Sequence, residues 1–226
     1  MQASIIIRAY NAEETLRRAL ASALTQDTSK ESYEIVVVDD GSTDATASVV
    51  RSFTDERIRL IQQENRGLTG ASNTGVKESR GDIVLFLDAD DEILPAAISL
   101  FTRTFKHKRI DCAYGNYFEE YEGSRKLEEP SDPFKALNGA YAWRRSSLLR
   151  EQGFSGDTIF PEYEILLRTW DRWQIMHVAE PVFIYSRSRE SLTGSTDRVA
   201  GSLQKLRDMY PDRIEEIRKI RSYALE

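Results

Sequence analysis

The sequence has little of what disulfide-bonded, zinc-binding or membrane-spanning proteins need. It contains one cysteine, Cys112, which excludes an intrachain disulfide. Its two histidines, His107 and His177, add too few ligands for a structural zinc site. No apolar run approaches the ~20 residues that span a bilayer, and the segment after Met1 lacks the basic and apolar regions of a signal peptide. We therefore expect a cytoplasmic protein.

An excess of positive charge is missing as well. The 226 residues include 31 Lys and Arg against 37 Asp and Glu, a formal net charge of -6, which argues against a partner that is nucleic acid. A bound metal can still supply local positive charge for a phosphorylated ligand. With 40% hydrophobic and 30% charged residues, the composition suits one globular domain, which we place at residues 1–226.

The first half of the chain alternates buried strands with helices. Continuous apolar runs, rather than alternating ones, indicate strands that are covered on both faces. Such strands separated by helical spacing predict a parallel α/β sheet. The strands are expected at residues 4–7, 34–38, 59–61 and 82–87. Ligands of such sheets bind beyond the carboxyl ends of the strands, where the chain places its polar residues.

Further elements are expected around and after this sheet. Asn11 followed by Glu14 is typical of a capping box that opens the first helix. The segment 122–133 is polar and contains Gly and Pro, which predicts a loop. Helices are expected at residues 95–105, 146–152, 162–170 and 212–223, and strands at residues 112–121, 141–145 and 182–185.

Two acidic turns follow two of the buried strands. Asp88-Ala89-Asp90 comes after the strongest strand, and the crowded carboxylates favour Mg²⁺ or Mn²⁺, which neutralises them. The alternative is an acidic turn that caps the helix near residue 95. Asp39 opens a second turn, Asp-Asp-Gly-Ser, which is also typical of a tight turn capping the next helix. Because both turns lie at one edge of the predicted sheet, together they favour a ligand site.

A phosphatase of the haloacid dehalogenase type is an alternative for Asp88-Ala89-Asp90. Those enzymes also place Asp-x-Asp after a buried strand and use the first Asp as a nucleophile. They usually have Thr or Val two residues after the second Asp, where this chain has Glu92. Their motif normally follows the first strand, whereas here it follows the fourth. The pattern therefore favours the metal site over a phosphatase.

The ordered segments resemble the family 2 glycosyltransferases. The resemblance implies the GT-A fold: an α/β protein with a mixed, mainly parallel sheet flanked by helices. It implies a Rossmann-like nucleotide-binding half at 1–92 and an acceptor half at 93–195, followed by a helical tail at 196–226. The matching stretches are SIIIRAYNAEE (4–14), IVVVDDGSTD (35–44), ENRGL (64–68), ASNTG (71–75) and GDIVLFLDADD (81–91).

The resemblance implies where the nucleotide of a sugar donor binds. Tyr10 stacks near the base, and Asp39 accepts a hydrogen bond from it. Arg66 contacts the base or a phosphate. Glu13 lies in the same pocket, or is simply a first-turn charge on the helix.

The same resemblance implies the sugar and metal contacts. Asp88 contacts the ribose and the sugar, with Ala89 beside it in the donor site. Asp90 is the ligand of a divalent metal, Mn²⁺ or Mg²⁺, in the family's DXD motif. The donor is a nucleotide-diphosphate sugar, with a UDP-sugar expected.

A catalytic base is implied in the second half. PEYEILLR (161–168) is similar to the family segment Glu-Asp-Tyr-Asp-Leu-Trp-Leu-Arg. The family's base is the second residue of that segment, here Glu162, which is one methylene longer than Asp. Glu164 and Asp157 are reserve candidates. The alternative is that Glu162 is only a first-turn helix carboxylate.

The chain departs from the family pattern at several positions. It has Arg8 where Pro is usual, and Ser72 where Arg or Lys is frequent. Near the end the family often carries Tyr-Arg-x-His, and this chain has no histidine there. Arg187 or Arg189 would contact the diphosphate instead, unless the segment is a solvated basic loop.

The activity so implied is metal-dependent, inverting transfer by a hexosyltransferase-like enzyme. The acceptor is a saccharide or a lipid-linked molecule, and the mixed-charge tail would allow peripheral membrane contact. A nucleotidyltransferase usually has a Gly-rich phosphate loop after its first strand, which is absent from residues 8–11. A catalytically weak nucleotide-sugar-binding module of the same fold remains the alternative.

Overall fold

The structure is a computed structural model that describes residues 1–28, 32–188 and 192–220. Within these ranges the chain forms a nine-stranded sheet with helices packed around it. The strands are β1 (Ala3–Ala9), β2 (Tyr33–Asp39), β3 (Ile58–Gln62), β4 (Ile83–Asp88), β5 (Glu92–Ile93), β6 (Cys112–Tyr121), β7 (Ser124–Glu128), β8 (Tyr141–Arg144) and β9 (Ile175–Ser186). The helices are α1 (Leu16–Leu24), α2 (Thr46–Arg51), α3 (Gly67–Glu78), α4 (Ala97–Thr104), α5 (Arg145–Arg150), α6 (Pro161–Thr169), α7 (Thr196–Met209) and α8 (Ile214–Lys219).

The sheet has two halves that a single strand joins. Its order is β3-β2-β1-β4-β8-β6-β9-β5, with β7 beside β6. β3, β2, β1 and β4 are parallel, and β9 is parallel to β6. β8 is antiparallel to both β4 and β6, so it connects the half that contains β1 to β4 with the half that contains β6 and β9. The predicted α/β architecture with a mainly parallel sheet is confirmed.

Burial explains why the first strands form as they do. Every residue of β1 and β2 is buried, because helices cover both faces of this part of the sheet. The buried side chains of helix α1 recur at helical spacing. Burial of each large apolar side chain stabilises the folded state by about 1.5–3 kcal/mol. α3 approaches β1 so closely that a Cβ on Gly75 would lie 2.3 Å from Ile6 Cγ2. Glycine at this position sets the distance between helix and sheet.

The last helices pack against the second half of the chain. Leu206 of α7 and Ile217 of α8 belong to the core. Lys219 forms an ion pair with Asp132 at 3.4 Å and lies over the Trp170 ring. Among the described ranges, no helix has both the length and the apolarity that crossing a membrane requires.

Several sequence-based predictions were wrong in detail. Asn11 does not cap α1, which begins at Leu16 after Thr15 and has no side-chain cap. The segment 122–133 is not all loop, because it contains β7. β9 begins at residue 175, seven residues before the predicted start. The helix expected at 212–223 is α8, at 214–219, whereas residues 221–223 lie outside the described residues.

Candidate active site

A cleft of about 700 Å³ lies at the carboxyl edge of β1 and β4. It is large enough for a nucleotide-sized ligand, and its position is the usual ligand site of open α/β sheets. Residues from both halves of the chain line it, including Tyr10, Asp40, Asp88, Asp90 and Glu162. The two acidic turns therefore meet at one cleft, as the sequence predicts.

The loop after β1 is fixed to the turn after β2. Asn11 adopts a left-handed backbone conformation with φ of 48°. Its N–H donates to Ser42 Oγ at 2.9 Å, and its Oδ1 accepts from Thr43 N at 2.8 Å. Gly41 has φ of 81°, and a Cβ there would lie 2.8 Å from Asn65 N. These contacts hold the rim of the cleft in one conformation.

The two aspartates of the turn after β2 have different surroundings. Asp39 is buried, and its carboxylate accepts from Ser42 N at 3.0 Å and from Gln62 Nε2 at 3.1 Å. Asp40 lines the cleft and accepts from Arg66 N at 2.9 Å. The contact of Asp39 with a nucleotide base stays a prediction, and Asp40 joins the candidates.

The other predicted nucleotide contacts lie at different depths. Tyr10 lines the cleft and is 54% exposed, so its ring is available for stacking. Glu13 accepts from Ala45 N at 2.7 Å, at the start of α2, and is not among the residues that line the cleft. Arg66 is exposed beside the cleft, where its neighbours Asn65 and Gly67 form part of the wall.

The turn after β4 concentrates negative charge. Burial and the charge of Asp88 raise the pKa of Asp90 to about 6. Burial and the charge of Asp90 also raise the pKa of Asp91, whose Oδ1 accepts from Ser186 N at 2.8 Å. Bringing carboxylates this close leaves negative charge that a divalent cation would compensate.

The residues of this turn fit a metal that is shared with a ligand. Among the ranges that the structure describes, no three His, Cys, Asp or Glu side chains are grouped to hold a metal on their own. A cation at Asp90 would therefore need further oxygen ligands, which a diphosphate provides. This arrangement is usual for Mg²⁺-type sites, in which one or two carboxylates act together with phosphate oxygens.

Glu162 is a buried carboxylate in the wall of the cleft. It lies in the first turn of α6 after Pro161 and lines the same cleft as Asp88. It is 3% exposed, and its Oε2 has no hydrogen-bond partner among the residues described. Burial raises the pKa of Glu162 to about 8, although the positive charge of Arg8 acts in the opposite direction. A carboxylate with a pKa near neutral pH is suited to proton abstraction.

The reserve candidates do not line the cleft. Glu164 is fully buried and accepts from Ser155, Arg168 and Tyr210. It therefore connects α6 to the preceding loop and to the end of α7. Asp157 is exposed and pairs with Lys205 at 2.9 Å. The structure brings only Glu162 of these three acids into the cleft.

The two buried glutamates of α6 should respond in opposite ways to the loss of charge. We expect Glu164→Gln to lower the free energy of unfolding by about 2–4 kcal/mol, because it removes a buried charge from its partners. Glu162→Gln, the matched control, should leave stability unchanged or increase it at pH 7, since ionisation of Glu162 is unfavourable in the folded state. Urea unfolding measures both, and equal losses would contradict the assignment.

Three arginines line the cleft: Arg8, Arg18 and Arg187. Arg187 lines it and pairs with Glu119 at 2.8 Å, whereas Arg189 lies outside the described residues. Arg18 was not predicted as a site residue, but it lines the cleft. It donates to the Asp90 carbonyl at 2.5 Å and to Ser186 Oγ at 2.8 Å. Its position on α1, opposite the apolar stripe, gave no signal, because an exposed arginine there is ordinary.

The cleft thus lies at the usual ligand site of an α/β protein and has an acidic turn in its wall. The sequence profile described as "Glycosyl transferase family 2" matches residues 4–189. Since this is most of the chain, the protein belongs to the family 2 glycosyltransferases.

Curated relatives match about half of this chain. The chain is 41% identical over 124 residues to "Glycosyltransferase GlyA" of Streptococcus pneumoniae, which is 53% of this chain and 18% of that protein. It is 36% identical over 115 residues to the Escherichia coli protein "UDP-Glc:alpha-D-GlcNAc-diphosphoundecaprenol beta-1,3-glucosyltransferase WfgD", 50% of this chain and 45% of WfgD. The chain spans less than half the length of either relative.

Solved structures share the fold. A mannosyltransferase from Pyrobaculum calidifontis, PcManGT, in complex with GDP-Man and Mn²⁺, superposes with a TM-score of 0.75 at 18% identity, covering 96% of this chain and 68% of that one. S. aureus TarS 1-349 in complex with UDP-GlcNAc superposes with a TM-score of 0.73 at 21% identity, covering 91% and 65%. The GT-A fold expected from the sequence is confirmed.

Proposed function

We propose that this protein transfers a sugar from a nucleotide-diphosphate sugar to an acceptor hydroxyl, with inversion at the anomeric carbon. The nucleotide lies against Tyr10 and the turn after β2. The ribose and sugar lie at Asp88 and Ala89, and a divalent metal lies at Asp90. Glu162 takes the proton of the acceptor.

One observation carries this proposal: a buried carboxylate with an unpartnered oxygen lines the same cleft as the DXD aspartates. Leaving an atom such as Glu162 Oε2 without a hydrogen bond costs stability, so the chain keeps it for another purpose. A group used only as a helix-capping charge would be solvated. The raised pKa and the position in the cleft match the role of a base.

The proposed reaction is a single displacement. Glu162 removes the proton as the acceptor oxygen attacks the anomeric carbon, and the bond from that carbon to the diphosphate oxygen breaks. The metal, when bound, offsets the negative charge that develops on the nucleoside diphosphate. Arg18, which lines the cleft beside the Asp90 carbonyl, adds fixed positive charge on the same side. No enzyme nucleophile is needed, since one base opposite the leaving group is sufficient for inversion.

A UDP-sugar is the proposed donor, and a saccharide or lipid-linked molecule is the proposed acceptor. TarS was solved with UDP-GlcNAc, and WfgD is named for UDP-Glc and a diphosphoundecaprenol-linked acceptor. PcManGT was solved with GDP-Man and Mn²⁺, which supports a divalent metal and makes GDP-mannose the second donor to test.

A thermal-shift screen tests donor binding directly. UDP-glucose, UDP-GlcNAc and GDP-mannose, each with and without Mn²⁺, should include one donor that stabilises the chain by about 2–3 kcal/mol at a hundred times its Kd. Glucose 1-phosphate is the control and should have no effect, because it lacks the nucleotide. A chain that none of these donors stabilises, with or without Mn²⁺, would contradict the proposal.

Turnover then separates an enzyme from a binding module. The donor found in the screen should be hydrolysed slowly in the presence of Mn²⁺, and faster transfer should follow when a suitable acceptor is added. Binding without any release of nucleoside diphosphate across an acceptor panel would favour the catalytically weak module.

A further inference from the structure

Arg8 is a charged side chain buried in the middle of the sheet. It occupies the penultimate position of β1, directly beside Asp88 on β4 in the parallel register. Its side chain is only 3% exposed, and it lines the floor of the cleft. An arginine at such a position loses most of its hydration, which is costly unless nearby groups compensate.

Three of the contacts of Arg8 help to compensate this charge. One guanidinium nitrogen, Nη2, donates to Asp88 Oδ1 in an ion pair. The other, Nη1, donates to Ser72 Oγ of α3 at 3.2 Å. The guanidinium also lies 5.3 Å from the centre of the Phe86 ring, at cation–π distance. Arg8 therefore joins β1, β4 and α3 at one point below the cleft.

The ion pair determines what Asp88 can offer a ligand. Because Arg8 binds Oδ1, the carboxylate has a fixed orientation where it lines the cleft and could accept from the hydroxyl groups of a donor. The same guanidinium interacts favourably with the charged form of Glu162, whereas Asp88 disfavours it. Without Arg8, Asp88 would lose the guanidinium that pairs with it, and the two carboxylates of the cleft would repel each other more strongly.

We propose that Arg8 is a positioning residue that orients the Asp88 carboxylate toward the donor and supplies the permanent positive charge that pairs with it. This role rests on the proposed sugar transfer. The planar fork of arginine is required, because it reaches Asp88 and Ser72 at the same time. Lysine would keep the charge but would lose the simultaneous contacts.

The test measures donor binding and transfer together with stability in four variants. Arg8→Ala and Arg8→Lys remove the fork. Arg8→Ala combined with Ser72→Arg returns a guanidinium from α3, since position 72 already lies beside the place that Arg8 fills. Arg59→Ala is the matched control, because Arg59 also pairs with a buried carboxylate, Glu34 at 3.0 Å, but does not line the cleft.

The expected result is a specific loss of donor affinity. Isothermal titration calorimetry with the donor found in the screen, in the presence of Mn²⁺, should show Kd raised about tenfold in Arg8→Ala. This factor corresponds to the loss of one charge-assisted hydrogen bond from the Asp88 carboxylate to the donor. Arg8→Lys should lie between, and the double variant should recover to within about threefold of the wild type. KM for the donor should follow Kd. Arg59→Ala should lower the melting temperature but leave Kd unchanged.

The outcomes separate this role from the proposed function. If the wild type binds no nucleotide sugar, both are overturned. If the wild type binds and Arg8→Ala binds within twofold of it, the role of Arg8 alone is overturned. If Arg8→Ala does not fold, Arg8→Lys decides, and wild-type donor affinity in that variant overturns the role. A double variant with restored melting temperature but unrestored affinity also overturns it.

Discussion

Glu162→Gln should lower kcat for transfer by about 10²–10⁴-fold, the usual contribution of a general base. Glutamine keeps the shape of the side chain but cannot accept the proton of the acceptor hydroxyl. Donor affinity should stay near the wild-type value, because the base acts on the acceptor. Steady-state kinetics with the donor and acceptor found by screening measure the change. A rate within a few fold of the wild type would show that Glu162 is not the base.

The wild-type pH profile gives an independent view of the same group. A base must be deprotonated, and burial raises the pKa of Glu162 to about 8. kcat/KM should therefore be low at pH 6, rise with pH through about 8 and level off above it. Glu162→Gln should remove this dependence from its residual rate. Glu162→Asp, which shortens the side chain by one methylene, should keep the pH dependence at a reduced rate.

The change in stability distinguishes a catalytic role from a structural one. A glutamate held for packing contributes to folding, whereas a buried acid with an unpartnered oxygen opposes it. Glu164 and Glu162 are two residues apart on α6 and should show these two behaviours. A Glu162→Gln chain that is more stable but far slower than the wild type would identify a functional group that reduces stability.

The part of the fold that forms the proposed donor site could be predicted because its signals are local. β1, β2 and β4 are continuous apolar runs that end in polar turns, and parallel strands place those turns at one edge. Asp88 and Asp90 follow directly from this reasoning. The role of Glu162 depended on the family resemblance, since no rule of spacing connects a helix in the second half to that edge.

The rest could not be predicted because it depends on contacts between distant segments. β7 has four exposed residues of five and no apolar alternation, so it pairs with β6 without a hydrophobic signal. The first residues of β9 are mostly exposed as well, so they also lack the hydrophobic signal of a strand. Asn11 has the sequence of a helix cap, but it hydrogen-bonds to the turn after β2, more than 30 residues away. Arg8 meets Asp88 only through the strand register.

Asp90→Ala should have the second large effect, because Asp90 is the proposed metal ligand. Asp90 lies in a turn where burial and the charge of Asp88 disfavour its ionised form, and a divalent cation would reverse this. Removing its carboxylate should abolish the stabilisation that Mn²⁺ adds to donor binding. Transfer should fall by about 10²-fold or more, because charge on the departing diphosphate would lose its main compensation.

The control for Asp90→Ala is a neighbouring acid outside the cleft. Glu92→Gln removes one charge two residues away, from a side chain that pairs with Arg18 at 3.4 Å and does not line the cleft. It should keep both the Mn²⁺ effect and the transfer rate within a few fold of the wild type. Titrating Mn²⁺ into each variant with the donor present, followed by thermal shift and by nucleoside diphosphate release, measures both quantities.

If Asp90→Ala kept full Mn²⁺-dependent binding and turnover, the metal would have to lie elsewhere. If it bound the donor as the wild type does without Mn²⁺, gained no affinity from Mn²⁺ and did not turn the donor over, the carboxylate would hold the metal while other groups hold the nucleotide. This second result is the one we expect if the nucleotide is held mainly by Tyr10 and the turn after β2.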